Sequence, residues 1–235
     1  MKLVHSYDYP TSTRASLKGL RHYDVAGEEH KLPSVTTVLG QTTGADKEAS
    51  LAKWRDRVGH KEAAKITSEA AARGTAMHLY LEKHCLGEGY LDLTPLGNQA
   101  KHMADVIVEK GINNRVTEIY GNEAVLYYPG LYAGSCDLVG QIDGDMAIID
   151  FKQTNKPKQK EWIGDYYLQM AAYGMAHDAV YGTNIEKGVI MMCSKDLYYQ
   201  EFVIEGEEYR QAKYDFLSRL DQFYEMKEKG LLDKK

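Results

Sequence analysis

The chain has 235 residues, 43% hydrophobic and 27% charged, with 29 Lys plus Arg against 34 Asp plus Glu and a net charge of −5. That is the composition of an ordinary globular protein with one core or at most two small ones; it excludes disordered and collagen-like classes, and no apolar run approaches the roughly 20 residues that span a bilayer. The acidic balance by itself argues against a nucleic-acid protein.

Met1–Pro10 has neither a secretory apolar core nor an Arg-rich, acid-free transit pattern, so no signal or transit peptide is expected. The expected location is the cytoplasm, the host's if the gene is phage-encoded. Arg21–Val25 and Glu29–Leu32 flank Ala26-Gly27-Glu28 and predict a short hairpin. Pro33 and Ser34 open a helix over Val35–Leu39 with Ser34 as its N-cap. Good helix formers from Asp46 to Leu86 predict two or three helices interrupted at Gly59 and Gly74, and another helix fits Leu96–Lys110, closed by Gly111. The period then switches to strands: Val116–Tyr120, Ala124–Tyr128, Tyr132–Val139 and Met146–Phe151, the last two joined through Asp143-Gly144. A helix over Trp162–Tyr181, strands Gly188–Cys193 and Tyr198–Ile204, and a closing helix Glu207–Lys229 complete the chain. The order predicts an α/β or α+β sheet with helices packed around it, in a single domain. Its parts are a helical segment of about 33–112, a sheet core of about 115–205 and a C-terminal helix within 206–235. Cys85, Cys136 and Cys193 form no CxxC pair, so a disulfide framework and a four-Cys zinc or iron–sulfur site are excluded and half-buried thiols are expected.

Tyr132-Ala-Gly-Ser-Cys-Asp137 followed by Ala147-Ile-Ile-Asp-Phe-Lys152 is the most informative stretch. Asp150 and Lys152, two apart on a predicted strand, leave one face while Phe151 points to the other. Counting from the Asp143-Gly144 turn brings Asp137 and Asp150 near each other across the ladder. Two carboxylates there repel unless a divalent cation lies between them, and hard oxygen donors suit Mg²⁺ or Mn²⁺. The plainer alternative is a buried Asp150–Lys152 ion pair with Asp137 in an exposed turn. Gln169 and Tyr173, at i and i+4, share a helix face that can reach a phosphate or the lysine, or are a surface Gln beside a core Tyr. His78, with Glu82 one turn later, is a donor suited to Mn²⁺ or an ordinary helical histidine. Lys152, Lys156, Lys158 and Lys160 form a basic strip ending at Trp162, a combination that binds phosphates and stacks a base.

Taken in order, His78, Gly134-x-x-Asp137, Asp150-Phe-Lys152 and Gln169-x-x-x-Tyr173 resemble the signature of the PD-(D/E)XK nuclease superfamily, in its RecB-type exonuclease branch. Leu32-Pro-Ser-Val-Thr-Thr-Val-Leu39, Trp54-Arg55 and Arg73-Gly-Thr-Ala-Met-His78 look like the mitochondrial genome-maintenance exonucleases and related phage enzymes. The resemblance implies a restriction-endonuclease-like central mixed sheet with an N-terminal helical arch or wall. It implies a metal held by His78, Asp137, Asp150 and the carbonyl of Phe151, with Lys152 catalytic and Gln169 and Tyr173 orienting it or the scissile phosphate. It assigns phosphate contacts to Ser34, Thr36, Thr37, Arg55, Arg73, Thr75 and Thr154. Cys136 stands where the family has Pro, and neither the iron–sulfur Cys clamp nor an ATP-binding G-x-x-x-x-G-K-[ST] loop is present, so no cluster and no ATP are expected. The implied activity is a Mg²⁺- or Mn²⁺-dependent exonuclease on single-stranded DNA ends. An endonuclease or flap nuclease on the same site and a catalytically silent nucleic-acid-binding module are the alternatives.

Two compositional features then take on a location. Between Arg115 and Lys152 there is no Lys or Arg, and Glu118, Glu123, Asp137, Asp143, Asp145 and Asp150 concentrate the acidity in the segment of the proposed metal site. The 18 Tyr, among them Tyr127-Tyr128, Tyr166-Tyr167 and Tyr198-Tyr199, offer base-stacking platforms or core residues.

Overall fold

The computed structural model describes residues 1–232. A short strand β1 (Lys2–Leu3) precedes β2 (Ser12–Leu17), β3 (Leu20–Val25) and β4 (Leu32–Pro33), the last three forming a small sheet in that order. The hairpin expected around Gly27 is present only as His22↔Pro33 and Tyr23↔Leu32; the full hairpin is β2–β3, turned by Lys18 and Gly19 at positive φ. Ser12–Leu17 lies on the surface with mostly polar side chains, so it carries no period-2 apolar signal.

Next come α1 (Val35–Gln41), α2 (Ala45–Val58), α3 (His60–Cys85) and α4 (Pro95–Ile107). Ser34 caps α1 as expected, its Oγ accepting from Thr37 N at 3.0 Å. Gly59, at φ 87°, separates α2 from α3, but α3 runs unbroken through Gly74. A Cβ on Gly74 would sit 3.2 Å from Gln153 Cγ, so close packing rather than a turn accounts for that glycine. The end of α4 loosens into one π-turn over Val108–Ile112 instead of stopping at a Gly111 cap.

The sheet follows as β5 (Val116–Tyr128), β6 (Tyr132–Ile142) and β7 (Asp145–Thr154), then α5 (Gly164–Tyr181), β8 (Lys187–Ser194), β9 (Tyr199–Glu205) and α6 (Gly206–Glu228). The two strands expected over 116–128 are one, with register shifts at Val116/Glu118 and Ile119/Gly121 absorbing the irregularity. The order is β1-β5-β6-β7-β8-β9: β5, β6, β7 are antiparallel, and β7 pairs in parallel with β8 through the crossover helix α5. This is the central mixed sheet flanked by helices that the sequence leads one to expect. Residues 233–235 of the expected C-terminal segment lie outside the described residues.

Alternate side chains of β7 feed two cores. Ile148 packs with α1, α5 and α6 through Val38, Met170, Tyr173 and Phe216, while Ile149 and Phe151 pack with α3 and α4 through Met77, Leu81, Met103 and Ile107. Burial on both faces explains the continuous apolar run Ala147–Ile149. Part of the tyrosine surplus is structural: Tyr7, Tyr9 and Tyr181 surround the buried His177, whose Nε2 lies 3.1 Å from Tyr9 Oη. The three thiols are fully buried rather than half-buried. No helix among the described residues is long and apolar enough to cross a membrane.

Candidate active site

The ladder between β6 and β7 runs from the Asp143-Gly144 turn only as far as Leu138↔Ile149. One residue further, Asp137 Oδ2 accepts the backbone N–H of Phe151 at 2.7 Å, so a side chain takes the place of the next ladder bond. Beside this point lies a cavity of about 660 Å³ lined by Asp137, Asp150, Lys152, Gln169, Tyr173 and His78. The four motifs therefore meet in one cleft. Phe151 turns away from it into the α3/α4 core, as strand alternation requires.

On the α3 side, His78 Nδ1 lies 3.2 Å from Asp137 Oδ1. A third donor is Glu123: ligand atoms of His78, Glu123 and Asp137 all lie within 4.8 Å of one another. Glu123 does not appear among the residues picked out from the motifs. It occupies β5 at φ 49°, a conformation uncommon for a non-glycine residue, and Ser135 Oγ donates to its Oε2 at 2.9 Å. A signal for it does exist. Tyr128 pairs with Tyr132 around the Pro129-Gly130 turn, and counting back from there puts Glu123 opposite Asp137, between Asn122↔Leu138 and Ala124↔Cys136.

On the α5 side, Lys152 Nζ forms an ion pair with Asp150 Oδ2, lies 3.5 Å from Gln169 Oε1 and sits 4.9 Å over the Tyr166 ring. Gln169 Nε2 in turn donates to Tyr173 Oη at 3.1 Å. Gly134 makes this chain possible, since a Cβ there would lie 2.6 Å from Tyr173 Cε1. Thus Gln169 and Tyr173 are both buried, and the alternative of a surface Gln is set aside.

Burial and charge pull the titratable groups apart. Burial pushes the Asp150 carboxyl up to about 6 against the attraction of Lys152. At Asp137 burial also raises the carboxyl, but His78, Lys152 and the Phe151 N–H outweigh it and hold it below the usual carboxylate range. His78 is raised because the pull of Asp137 outweighs the opposing effect of burial. Burial first, then Asp137, raises Glu123. A cleft whose burial lifts two carboxyls, Asp150 and Glu123, is short of positive charge. The buried Asp150 Oδ2 has the Lys152 ammonium beside it but no well-aligned hydrogen bond. Two carboxylates, an imidazole and this under-satisfied oxygen fit a hard divalent cation. The clustered trio substitutes Glu123 for Asp150 in the ligand set that the resemblance implies, with Asp150 bound to Lys152 beside it.

A second cavity, of about 690 Å³, adjoins the first at Gln153 and Tyr166 and is lined by Trp54, Arg57, Arg73, Lys156, Lys158 and Lys195. The expected phosphate contacts distribute unevenly over these walls. Ser34, Thr36 and Thr75 line the first cavity, and Arg73, Thr154 and Lys156 the second. Several are engaged within the protein: Ser34 caps α1, Thr75 Oγ1 donates to Ala71 O, Thr154 Oγ1 donates to Lys156 O, and Arg73 bonds Gln153 and Asn155. Arg55, Thr37 and Trp162 line neither. On α2 the cleft face carries Trp54 and Arg57, one turn apart, which points the intervening Arg55 elsewhere. Trp162 is 59% exposed on a short 3₁₀ turn, and Lys160 leaves the basic strip to pair with Glu208 at 2.7 Å.

By sequence the chain is similar to mitochondrial genome maintenance exonuclease 1. It is 29% identical over 182 residues to the mouse protein, covering 72% of this chain and 52% of that one. To the human protein it is 25% identical over 225 residues, covering 79% and 60%. The chain thus spans about half the length of the curated relatives it matches. Among solved structures, one described as an exonuclease from Eubacterium rectale covers 68% of this chain and 69% of its own, with a TM-score of 0.48 at 10% identity. An alkaline exonuclease from Laribacter hongkongensis covers 84% and 92%, with a TM-score of 0.30 at 13% identity. No family model matches. The sequence relatives agree with the resemblance carried by the motifs: the chain is a homologue of these exonucleases.

Proposed function

We propose that this protein is a Mg²⁺- or Mn²⁺-dependent exodeoxyribonuclease that hydrolyses phosphodiester bonds from a free end of single-stranded DNA. The observation that carries the reading is the convergence of His78, Glu123, Asp137, Asp150, Lys152, Gln169 and Tyr173 on one cleft beside a basic one. His78, Glu123 and Asp137 would hold the cation, with Asp150 and the Phe151 carbonyl adjacent. When bound, the cation supplies Lewis-acid polarisation of the phosphate and activation of water.

The remaining work falls to the chain's own side chains. Lys152, fixed by Asp150, Gln169 and the Tyr166 face, presents a half-buried ammonium where negative charge grows on the phosphate. Its low freedom means that little reorganisation is needed as the reaction proceeds. Gln169, tied to Tyr173, holds Lys152 in that pose. Arg57, Lys156, Lys158 and Lys195 would grip the backbone and Trp54 and Tyr166 stack bases along the adjoining wall. In this reading residues 33–112 guide the strand, 115–205 do the chemistry and α6 braces the sheet, all as one domain.

Cleavage of end-labelled single strands by wild type, Asp150→Ala and Lys152→Ala tests the assignment. Each variant is expected to lose at least about 10²- to 10³-fold in rate, the usual loss for one preorganised electrostatic group. Near-normal cleavage in either variant overturns it. A circular single strand separates the activities: an exonuclease leaves it intact, whereas an endonuclease cuts it.

A further inference from the structure

The β2–β3 hairpin brings two arginines to the catalytic cleft that no motif contains. Arg14 and Arg21 both line the cavity that holds Asp137 and Lys152, and neither lines the basic cavity beyond Gln153 and Tyr166. The register explains how they come together. Arg14 pairs with Tyr23 and Ser16 with Arg21, so Arg14 and Arg21 stand diagonally on the same face of the hairpin. Both are exposed, and neither takes part in an ion pair among the described residues; the one acid of β3, Asp24, pairs instead with Lys31 at 3.7 Å.

The hairpin is fixed in place. Arg21 O accepts from Ser34 N at 3.1 Å and from Thr37 Oγ1 at 3.0 Å, and Ser34 bridges to Ala133 beside Gly134. Tyr23, opposite Arg14 on the same face, is buried with Val25, Leu32 and Ala133. Two forked, permanently charged groups are thereby held on a tethered strand pair facing a cleft of carboxylates, with the Ser34 and Thr36 hydroxyls in the same wall. A guanidinium pair in that position matches phosphate oxygens, which accept bidentate bonds from Arg.

We propose that Arg14 and Arg21 form a phosphate clamp: they hold a phosphate of the nucleic-acid strand next to the one being cut, so that cations grip the strand in both cavities of the groove. The clamp deepens the exonuclease reading and rests on it. It also gives a function to a hairpin of low hydrophobicity whose position is set by the N-cap of α1.

The test is fluorescence anisotropy of a labelled single-stranded oligonucleotide in Ca²⁺, with wild type and the double variant Arg14→Gln/Arg21→Gln, over a range of NaCl. Arg210→Gln, in an ion pair with Glu207 on α6, is the charge control. Two lost phosphate contacts on a single strand should flatten the log Kd against log salt slope by about 1.4 and weaken binding roughly tenfold or more at low salt. KM in Mg²⁺ should rise while kcat stays within a few-fold. Oligonucleotides ending in 5′-phosphate, 3′-phosphate or hydroxyl distinguish the source: an equal loss on all three places an internal phosphodiester in the clamp, and a loss confined to one places the terminal phosphate there. A slope and affinity equal to wild type, in a variant that melts normally, overturns the clamp while leaving the nuclease reading standing. If wild type itself neither binds nor cuts, it is that reading which fails.

Discussion

The Asp137 carboxylate accepts one bond from a backbone amide and faces an imidazole with its other oxygen, so its position is set before any ligand arrives. Glu123 is held less rigidly, by Ser135 Oγ and by an uncommon backbone conformation, and burial beside Asp137 raises its carboxyl. A group arranged in this way gains most from a cation. Glu123→Gln keeps the shape and an acceptor for Ser135 while removing the charge. Mn²⁺ affinity, followed by the electron paramagnetic resonance of the free ion, is expected to fall by at least the roughly tenfold that losing even a supporting partner costs. Affinity equal to wild type would remove Glu123 from the ligand set. At this scale spacing made Asp150 with Lys152 legible on one strand face and Gln169 with Tyr173 on one helix face, the count from the turn placed Asp137, and His78 was legible only through the family resemblance. Glu123 was not legible, because its place depends on a long hairpin register rather than on neighbours in sequence. Arg57 escaped notice for a different reason: choosing it over Arg55 requires the rotation of α2 about its axis, which a helix with no buried residue does not disclose.

α5 is the element on which sheet and chemistry depend together. Nine of its eighteen residues are buried, Tyr167, Gln169 and Tyr173 among them, so it shows no clear polar face. Small residues let it pack closely on both neighbours: a Cβ on Gly174 would lie 2.1 Å from Tyr209 Oη of α6, and one on Gly134 of β6 would meet Tyr173 at 2.6 Å. Gly134→Ala must therefore move a buried aromatic ring or the helix carrying it. The expected cost is about 1–3 kcal/mol, read as a lower Tm, with a fall in kcat because Tyr173 withdraws from Gln169. An unchanged Tm and kcat would mean that the ring yields freely and that Gly134 has no packing role. The helices and the catalytic strands could be read from period and from caps such as Ser34. Strand β3 was legible as Arg21–Val25, but its partner β2 was not, since that exposed and mostly polar strand is held by cross-strand bonds to β3 rather than by apolar alternation.

At the scale of the whole molecule, the acidity of residues 116–151 divides in two. Asp143 pairs with Arg115 at 2.7 Å, Asp145 with Lys187 at 2.9 Å, and Glu118 accepts from Tyr120 Oη at 2.7 Å. Only Glu123, Asp137 and Asp150 enter the cleft, so half of the six acids expected at the site lie elsewhere. Cations of the two cavities, Arg14, Arg21, Arg57, Lys156, Lys158 and Lys195 among them, then surround an acidic centre on a chain of net charge −5. On the proposed reading, long-range attraction for DNA is weak under these conditions, and a strand held by both groups of cations has to cross the carboxylates. A divalent ion removes that obstacle. Single-strand affinity is accordingly expected to rise at least about tenfold on going from EDTA to Ca²⁺ at matched ionic strength, an amount equal to about 1.4 kcal/mol. With Ca²⁺ present, the log Kd against log salt slope should not exceed about 4, the value for six contacts on a single strand. Affinity indifferent to Ca²⁺, measured by the same anisotropy titration, would mean that the strand bypasses the acidic centre and that the basic cavity alone holds it.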